Sequence, residues 1–400
     1  MDDFNHELGQ RLEGIREQGL LRELRRVDSA QTPRITVGGK TLLNFSSNDY
    51  LGLANHPALR EAAIKAVEKF GAGSGAARLV CGSLAPHHEL EEALAAFKQT
   101  EAALSFSSGY ATAVGTISAL MSKDDVVVLD KLVHASIVDG ARLSGAKLRI
   151  FSHNNLDELA DILKWADQRA PVAGARPSRT LIITESVFSM DGDRAPLKEI
   201  VALKEKHGAW LMVDEAHATG FFGENRRGLA EELGVSDGVE IQMGTLGKAF
   251  GSGGGYICGS RALCDYLVNR ARSFIFSTAP VPAAAAAARA GVELVHSSEG
   301  RKRAEHLWSL VGELKSALTM RGWTVPEAGS AIVPLIIGEE GAAMAAAAAM
   351  RDAGVFVPAV RFPTVARGQA RLRVTVTAAH TPADVAELVK VLPKSQGKIE

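Results

Sequence analysis

Cysteine is scarce in this 400-residue chain, with Cys81, Cys258 and Cys264 as its whole complement. They make no CxxC pair and no Cys/His spacing suited to a metal, and three cysteines in a chain this long exclude a disulfide framework. A reducing cytoplasm is therefore expected, and no metal centre. An excess of one charge is lacking too. Lys and Arg number 45 against 46 Asp and Glu, for a formal net charge of -1, and the basic residues are spread along the chain, so no nucleic-acid partner is expected. No uninterrupted apolar run approaches the ~20 residues of a membrane helix. The opening Met1-Asp-Asp-Phe-Asn has no basic stretch followed by an apolar one, so neither a membrane partner nor a secretion signal is expected.

What the chain does have is 46% apolar and 23% charged side chains, enough for one large core and a smaller one. Residues 5–26 carry Leu8, Leu12, Ile15 and Leu20 among charges, which predicts an amphipathic helix packed on the body. Residues 35–45 read as a hairpin around Gly38-Gly39. Between about 56 and 270, helical stretches alternate with short apolar runs at Val126–Leu129, Leu181–Thr184, Trp210–Val213, Ile241–Met243 and Gly255–Cys258. Such alternation predicts an α/β fold with a mostly parallel central sheet. After Pro280 and Pro282 a long helix opens, followed by strands at Ala331–Ile337 and Arg371–Thr377, an Ala-rich helix at 342–351 and a closing helix near Pro382–Leu392. We therefore divide the chain into an N-terminal helix and hairpin segment (1–55), a large domain (56–282) and a smaller α/β C-terminal domain (283–400).

Several strand candidates end in Asp130, Glu185, Asp214 and Gly244, and ligands bind at the carboxyl ends of parallel strands. Gly244-Thr-Leu-Gly-Lys248-Ala-Phe-Gly251 follows Val213-Asp214-Glu-Ala-His217-Ala-Thr-Gly220 by about thirty residues. Gly247 and Ala249 leave room for a planar ring on the Lys248 ammonium, and Asp214, at the end of an apolar run, is suited to hold a pyridinium nitrogen charged. That pairing fits pyridoxal phosphate, with the lysine as the Schiff-base partner. A phosphate-binding P-loop would need Gly at 242 and Ser or Thr at 249, where Gln242 and Ala249 stand. His217 is placed to reach the cofactor's phenolic oxygen, and His134, just past a strand, to stack on its ring. Ser107-Ser-Gly109-Tyr110 opens a helical stretch whose free N–H groups suit a phosphate, with Thr245 as a second contact. Gly71-Ala-Gly73-Ser-Gly75-Ala76 spells a dinucleotide fingerprint but follows the helical stretch Leu59–Phe70 rather than a strand, so that reading is rejected.

These residues resemble the α-oxoamine synthases, fold-type I pyridoxal-phosphate transferases that condense an amino acid with an acyl thioester and lose carbon dioxide. The resemblance covers nearly the whole chain. It runs through Asn44–Leu53, Gly71–Gly82, Thr184–Asp193, Asp214–Gly220, the Lys248 loop, Ser273–Thr278 and Ala370–Val374. It implies that Lys248 carries the cofactor and acts as base, that Asp214 pairs with the pyridinium nitrogen, that His217 and Ser189 contact the phenolic oxygen, and that His134 stacks. Gly109, Tyr110 and Thr245 would surround the phosphate, joined by Ser277 or Thr278 from the second subunit of a homodimer with shared active sites. Asn48 would lie beside the cofactor and Arg373 would hold the substrate carboxylate.

Within that family, Val360-Arg361-Phe362-Pro363-Thr364-Val365 together with Ala370–Thr377, His380 and Arg22 most resembles the member that joins L-alanine to a pimeloyl thioester. Arg22 and Arg361 would meet the far carboxylate of that acyl chain. The relative that joins glycine to acetyl-CoA is the alternative. An aminotransferase of the same fold would use the same Lys and Asp but return the amino group to the cofactor, and a silent paralogue would keep the fold alone.

Overall fold

The computed structural model describes residues 2–169, 178–326 and 329–393. The N-terminal helix Asp2–Glu17 is shorter than the 5–26 stretch expected, because the chain turns at Gly19, which takes a left-handed φ of 67°. Its apolar stripe does not pack as expected: Phe4, Leu8, Leu12 and Ile15 are all exposed. Strands β1 (Arg34–Val37) and β2 (Lys40–Asn44) then form the expected hairpin, with Val37 paired to Lys40. The two-residue turn Gly38-Gly39 has φ of 57° and 76°, the positive pair that this tight connection requires.

The central sheet contains β3 (Ala102–Phe106), β4 (Val126–Asp130), β5 (Lys147–Phe151), β6 (Thr180–Glu185), β7 (Trp210–Asp214), β8 (Ile241–Thr245) and β9 (Gly255–Gly259), in the order β3-β9-β8-β7-β6-β4-β5. Strands β4 to β8 pair in parallel, while β9 runs antiparallel to both β3 and β8. Runs such as Val126–Asp130 are buried at every position, as a sheet covered by helices on both faces demands. Because β9 reverses, Gly255 pairs with both Thr245 and Phe106, so the ends of β3, β4, β6, β7 and β8 share one edge. Sequence periodicity missed two strands for different reasons. β3 is alanine-rich and reads like helix, and β5 is a largely exposed edge strand with no apolar alternation.

The chain divides into two compact units, one of Asn48–Ser189 and Asp193–Trp308, the other of Met1–Ser47, Met190–Gly192 and Ser309–Glu400. The second unit holds β10 (Ile332–Gly338), β11 (Val355–Phe356), β12 (Ala359–Val360) and β13 (Ala370–Thr375). Its strands β10, β13 and β12 form an antiparallel sheet in that order, and β11 joins β2 in parallel. Helices Glu340–Asp352 and Pro382–Val391 stand where the Ala-rich and closing helices were expected. Among the described residues no helix is long and apolar enough to cross a membrane. Cys258 and Cys264 are buried in the first unit, where burial pushes both thiols up to about 12, and Cys81 is exposed.

His380 secures the hairpin to the second unit's sheet. Its ring stacks on Phe45 at 4.1 Å, Nε2–H donates to the Asn44 carbonyl at 2.9 Å, and Nδ1 accepts the Thr377 N–H at 3.0 Å. Both nitrogens are thereby assigned to the neutral imidazole, and burial lowers the pKa. The unfolded chain takes up a proton near pH 6.5 and the folded one only below that. This unit should therefore lose stability as pH falls through and below ~6.5, and His380→Phe, which cannot titrate, should show a flatter decline. Denaturant midpoints at pH 7.5, 6.0 and 5.0 test it, and parallel declines for the two proteins would refute the assignment.

Candidate functional site

The shared edge of the central sheet assembles most of the residues singled out above. β6 and β7 are in register, so Glu185 lies opposite Asp214 and two carboxylates end adjacent strands. Both are buried. Burial raises both pKa values; the Lys248 cation pulls back on both, and the Asp214 charge adds to the rise at Glu185, which reaches about 8. The two carboxylates therefore titrate as a coupled pair, and Glu185 holds its proton near neutrality.

Each residue of the string after β7 has its own task. Asp214 Oδ1 accepts the Ala216 N–H at 2.9 Å, which tightens the turn. Glu215 points away: its carboxylate accepts from Ser186 Oγ at 2.7 Å and from the N–H groups of Leu229 and Ala230 at 3.0 and 2.9 Å, starting the next short helix. His217 returns to the site, with Nε2 2.7 Å from Lys248 Nζ and Nδ1 2.6 Å from the Tyr50 hydroxyl. When Lys248 is an ammonium it donates to Nε2, so Nδ1 carries the proton and donates to Tyr50. Thr219 accepts from the buried Lys98 at 3.0 Å. Gly220, at φ 104°, completes the turn, and a Cβ there would sit 2.5 Å from the Ala249 Cβ. Only glycine lets the Lys248 loop approach this closely.

Gly109 and Tyr110 begin the helix Gly109–Leu120, whose N-cap Ser108 accepts the Ala111 N–H at 3.1 Å. A Cβ on Gly255 would come within 2.8 Å of Gly109, so the bare strand draws this helix N-terminus against β9. Thr245 lies beside it, 3.8 Å from where a Gly109 Cβ would stand, and its hydroxyl donates to the Gly254 carbonyl at 3.1 Å. The Tyr110 side chain is exposed and donates to Asp139 at 2.8 Å. His134 caps the helix Ala135–Ser144, with Nδ1 bonded to Ser136 Oγ at 2.7 Å. Surrounding atoms and the Lys248 charge press its pKa down against the pull of Asp214, so the imidazole is neutral. The Ser189 N–H donates to Glu185 Oε2 at 3.2 Å, and the His134 backbone N–H also bonds Glu185. Asn48 Oδ1 accepts from Tyr50 at 3.5 Å.

The remaining predicted residues lie elsewhere. Thr278 bridges to Ala77, and Ser277 Oγ donates to the Thr278 carbonyl at 3.2 Å. Arg22, Arg361 and Arg373 belong to the other compact unit. There Arg22 donates to Thr364 at 3.5 Å, buried Arg361 donates to the Leu21 carbonyl at 2.7 Å, and Arg373 donates to Thr375 at 2.8 Å. Arg22 and Arg361, 339 positions apart, are thus neighbours through Leu21 and Thr364. Sequence reading missed Tyr50, although it stands inside the quoted Asn48–Leu53 stretch. Glu185 was noted only as a strand end.

This donor set fits pyridoxal phosphate. A helix N-terminus and a threonine suit a dianion, a primary amine beside an imidazole suits an aldehyde, and a buried acid suits a ring nitrogen. Glu185 Oε1, buried without a hydrogen-bond partner among the described residues, marks a polar pocket rather than an apolar core.

Comparison with known proteins gives a consistent picture. Residues 40–392 match the family described as aminotransferase class I and II. The 8-amino-7-oxononanoate synthase of Anaeromyxobacter dehalogenans is 49% identical over 96% of this chain and 95% of its own length, and that of Symbiobacterium thermophilum is 43% identical over 97% and 96%. Among solved structures, serine palmitoyltransferase from S. paucimobilis with bound PLP–myriocin aldimine is 31% identical, with a TM-score of 0.89 over 96% of this chain and 95% of that one. The 8-amino-7-oxononanoate synthase of Francisella tularensis gives a TM-score of 0.73 at 27% identity, over 88% of this chain and 96% of that one.

The carboxyl pair makes a test of the site's electrostatics. Glu185 ionises near pH 4.5 when unfolded and near 8 when folded, so its contribution is fully present below ~4.5 and lost as pH rises through 8. Glu185→Gln should therefore be at least as stable as the parent at pH 8.5, and its unfolding midpoint should fall less between pH 6 and 9. A glutamine variant with an unchanged slope would show that Glu185 is ionised at neutral pH.

Proposed function

Because the chain belongs to the class I and II aminotransferase family and, within it, to the 8-amino-7-oxononanoate synthases, we propose that it condenses L-alanine with a pimeloyl thioester, releasing carbon dioxide and the free thiol, in biotin synthesis. It is a pyridoxal-phosphate acyltransferase. The observation that carries the reading is the Lys248 amine held 2.7 Å from His217 at the edge where Asp214 ends β7.

When bound, pyridoxal phosphate supplies an electron sink for charge developing at the amino acid's Cα. The chain's own residues do the rest. Gly109, Tyr110 and Thr245 would hold the phosphate, and Asp214 would keep a proton on the ring nitrogen. His217, held at Nδ1 by Tyr50, and Ser189 would face the phenolic oxygen, with Asn48 alongside. His134 stacks on the ring and, being neutral, can donate to a developing carbonyl oxygen without repelling the Lys248 cation. Lys248 would hold the cofactor, and its amine is the base this chain offers for the Cα proton. Arg373 would hold the alanine carboxylate in a charge-assisted contact.

The second carboxylate of the acyl chain goes to Arg22 and Arg361, which Leu21 and Thr364 already bring together. Ser277 or Thr278 completes the phosphate site of a partner subunit in a homodimer. Supporting that arrangement, Leu79, Val80, Tyr110, Phe276 and Val281 are all exposed near these motifs. The cytoplasm, with its reduced thiols, is the compartment this composition suits.

Thiol release with alanine and pimeloyl-CoA should exceed that with glycine and acetyl-CoA, and Lys248→Ala should abolish it. Preference for the second pair would place the chain on the glycine branch. Arg22→Ala should raise KM for pimeloyl-CoA about ten- to hundredfold, the worth of one charge-assisted contact of ~1.5–3 kcal/mol, while kcat changes little. A fall in kcat at unchanged KM would remove Arg22 from substrate binding.

A further inference from the structure

Beside the site lies a line of charged groups, anchored on buried Asp130, that the reaction does not use. Asp130, at the end of β4, is buried; its Oδ1 accepts the Leu132 N–H at 2.8 Å and its Oδ2 the Asn154 N–H at 2.8 Å. The first bond shapes the turn that leads into His134. His153 then spans two carboxylates, with Nδ1 donating to Asp130 Oδ1 at 3.0 Å and Nε2 donating to Asp193 Oδ2 at 2.7 Å. Its ring meets Phe188 edge-on at 4.3 Å. Asp193 in turn closes the segment that carries Ser189: the Phe188 N–H donates to the Asp193 carbonyl at 3.0 Å, Val187 bridges to Arg194, and the Ala195 N–H donates to Ser186 at 3.0 Å. Asn154, at a left-handed φ of 54°, adds bonds to Asp193 at 3.1 Å and to the Arg194 carbonyl at 3.2 Å. All these groups lie in one compact unit.

An imidazole with a carboxylate at each nitrogen satisfies both only when both nitrogens carry protons. Burial opposes that charge, yet the bonds from Asp130 and Asp193 outweigh it and carry the imidazolium up to about 10. His153 is therefore a cation throughout the working range, unlike the neutral His134. We infer that His153 is a positioning residue, a fixed imidazolium that ties the turn presenting His134 to the segment presenting Ser189 and so sets the gap in which the cofactor ring is held. This rests on the reading that His134 and Ser189 face pyridoxal phosphate. Glu185 ties the same two residues from the other side, through the backbone N–H of each, so loss of His153 leaves them attached but free to splay.

The test measures cofactor affinity directly, by titrating the cofactor-free protein with pyridoxal phosphate, alongside kinetics. His153→Gln keeps a polar side chain without the charge. It should weaken cofactor binding by about tenfold or more and lower kcat by a similar factor at saturating cofactor, while KM for pimeloyl-CoA stays within about twofold. Asp193→Asn, a milder change, should give a smaller loss and a lower His153 pKa by NMR; it carries the test should the glutamine variant fold poorly. Cofactor binding within twofold of the parent in both variants would overturn the inference, as would a neutral His153 at pH 7 in the parent. The NMR titration needs no cofactor. Failure of the parent to bind pyridoxal phosphate would instead sink the proposed function and leave the charge state of His153 standing on its own result.

Discussion

The site depends on a balance of buried charge. One cation, Lys248, faces two carboxylates that the register of β6 and β7 places side by side, and the interior cannot hold both of them ionised. Burial raises both, and Glu185 is carried up to about 8 with the Asp214 charge beside it. The same accounting explains the histidines. His134 stays neutral because burial, helped by the Lys248 charge, outweighs the pull of Asp214, whereas His153 is charged because two carboxylates of its own outweigh its burial. Two imidazoles on one sheet edge thus take opposite protonation states according to whether neighbouring carboxylates outweigh burial.

Close packing supplies the second constraint. The lysine loop meets the turn after β7, and the helix that starts at Gly109 meets β9, where side chains are smallest, at Gly220 against Ala249 and at Gly255 against Gly109. A methyl group at either glycine would meet atoms within 2.8 Å, so one of the two segments would have to shift. Rigidity here comes from backbone contact rather than from long side chains.

Much of this was legible in the sequence because the informative features are local. Continuous apolar runs ending in Asp130, Glu185 and Asp214 mark parallel strands and the edge where they stop, and the small residues around Lys248 mark room for a ring. What escaped is non-local or depends on context. Strand β3 looks helical by composition, and β5 lacks a pattern because it borders solvent. The N-terminal helix has an apolar stripe that its own chain leaves exposed. Tyr50 meets His217 across 167 positions, and His153 meets Asp130 and Asp193 across 23 and 40, separations set by strand order that no spacing rule encodes. Glu185 was visible as a residue, but its protonation follows from pairing with a strand 29 positions on.

The depth of two cysteines shapes how this chemistry can be followed. A thiol held up to about 12 inside the central unit presents no thiolate to an electrophile at neutral pH, and Cys258 and Cys264 both sit there. Of the three cysteines only Cys81 is exposed on the single chain to a colorimetric thiol reagent. Replacing that residue with serine would give a protein with almost no thiol background, in which every sulfhydryl appearing during turnover comes from the acyl carrier.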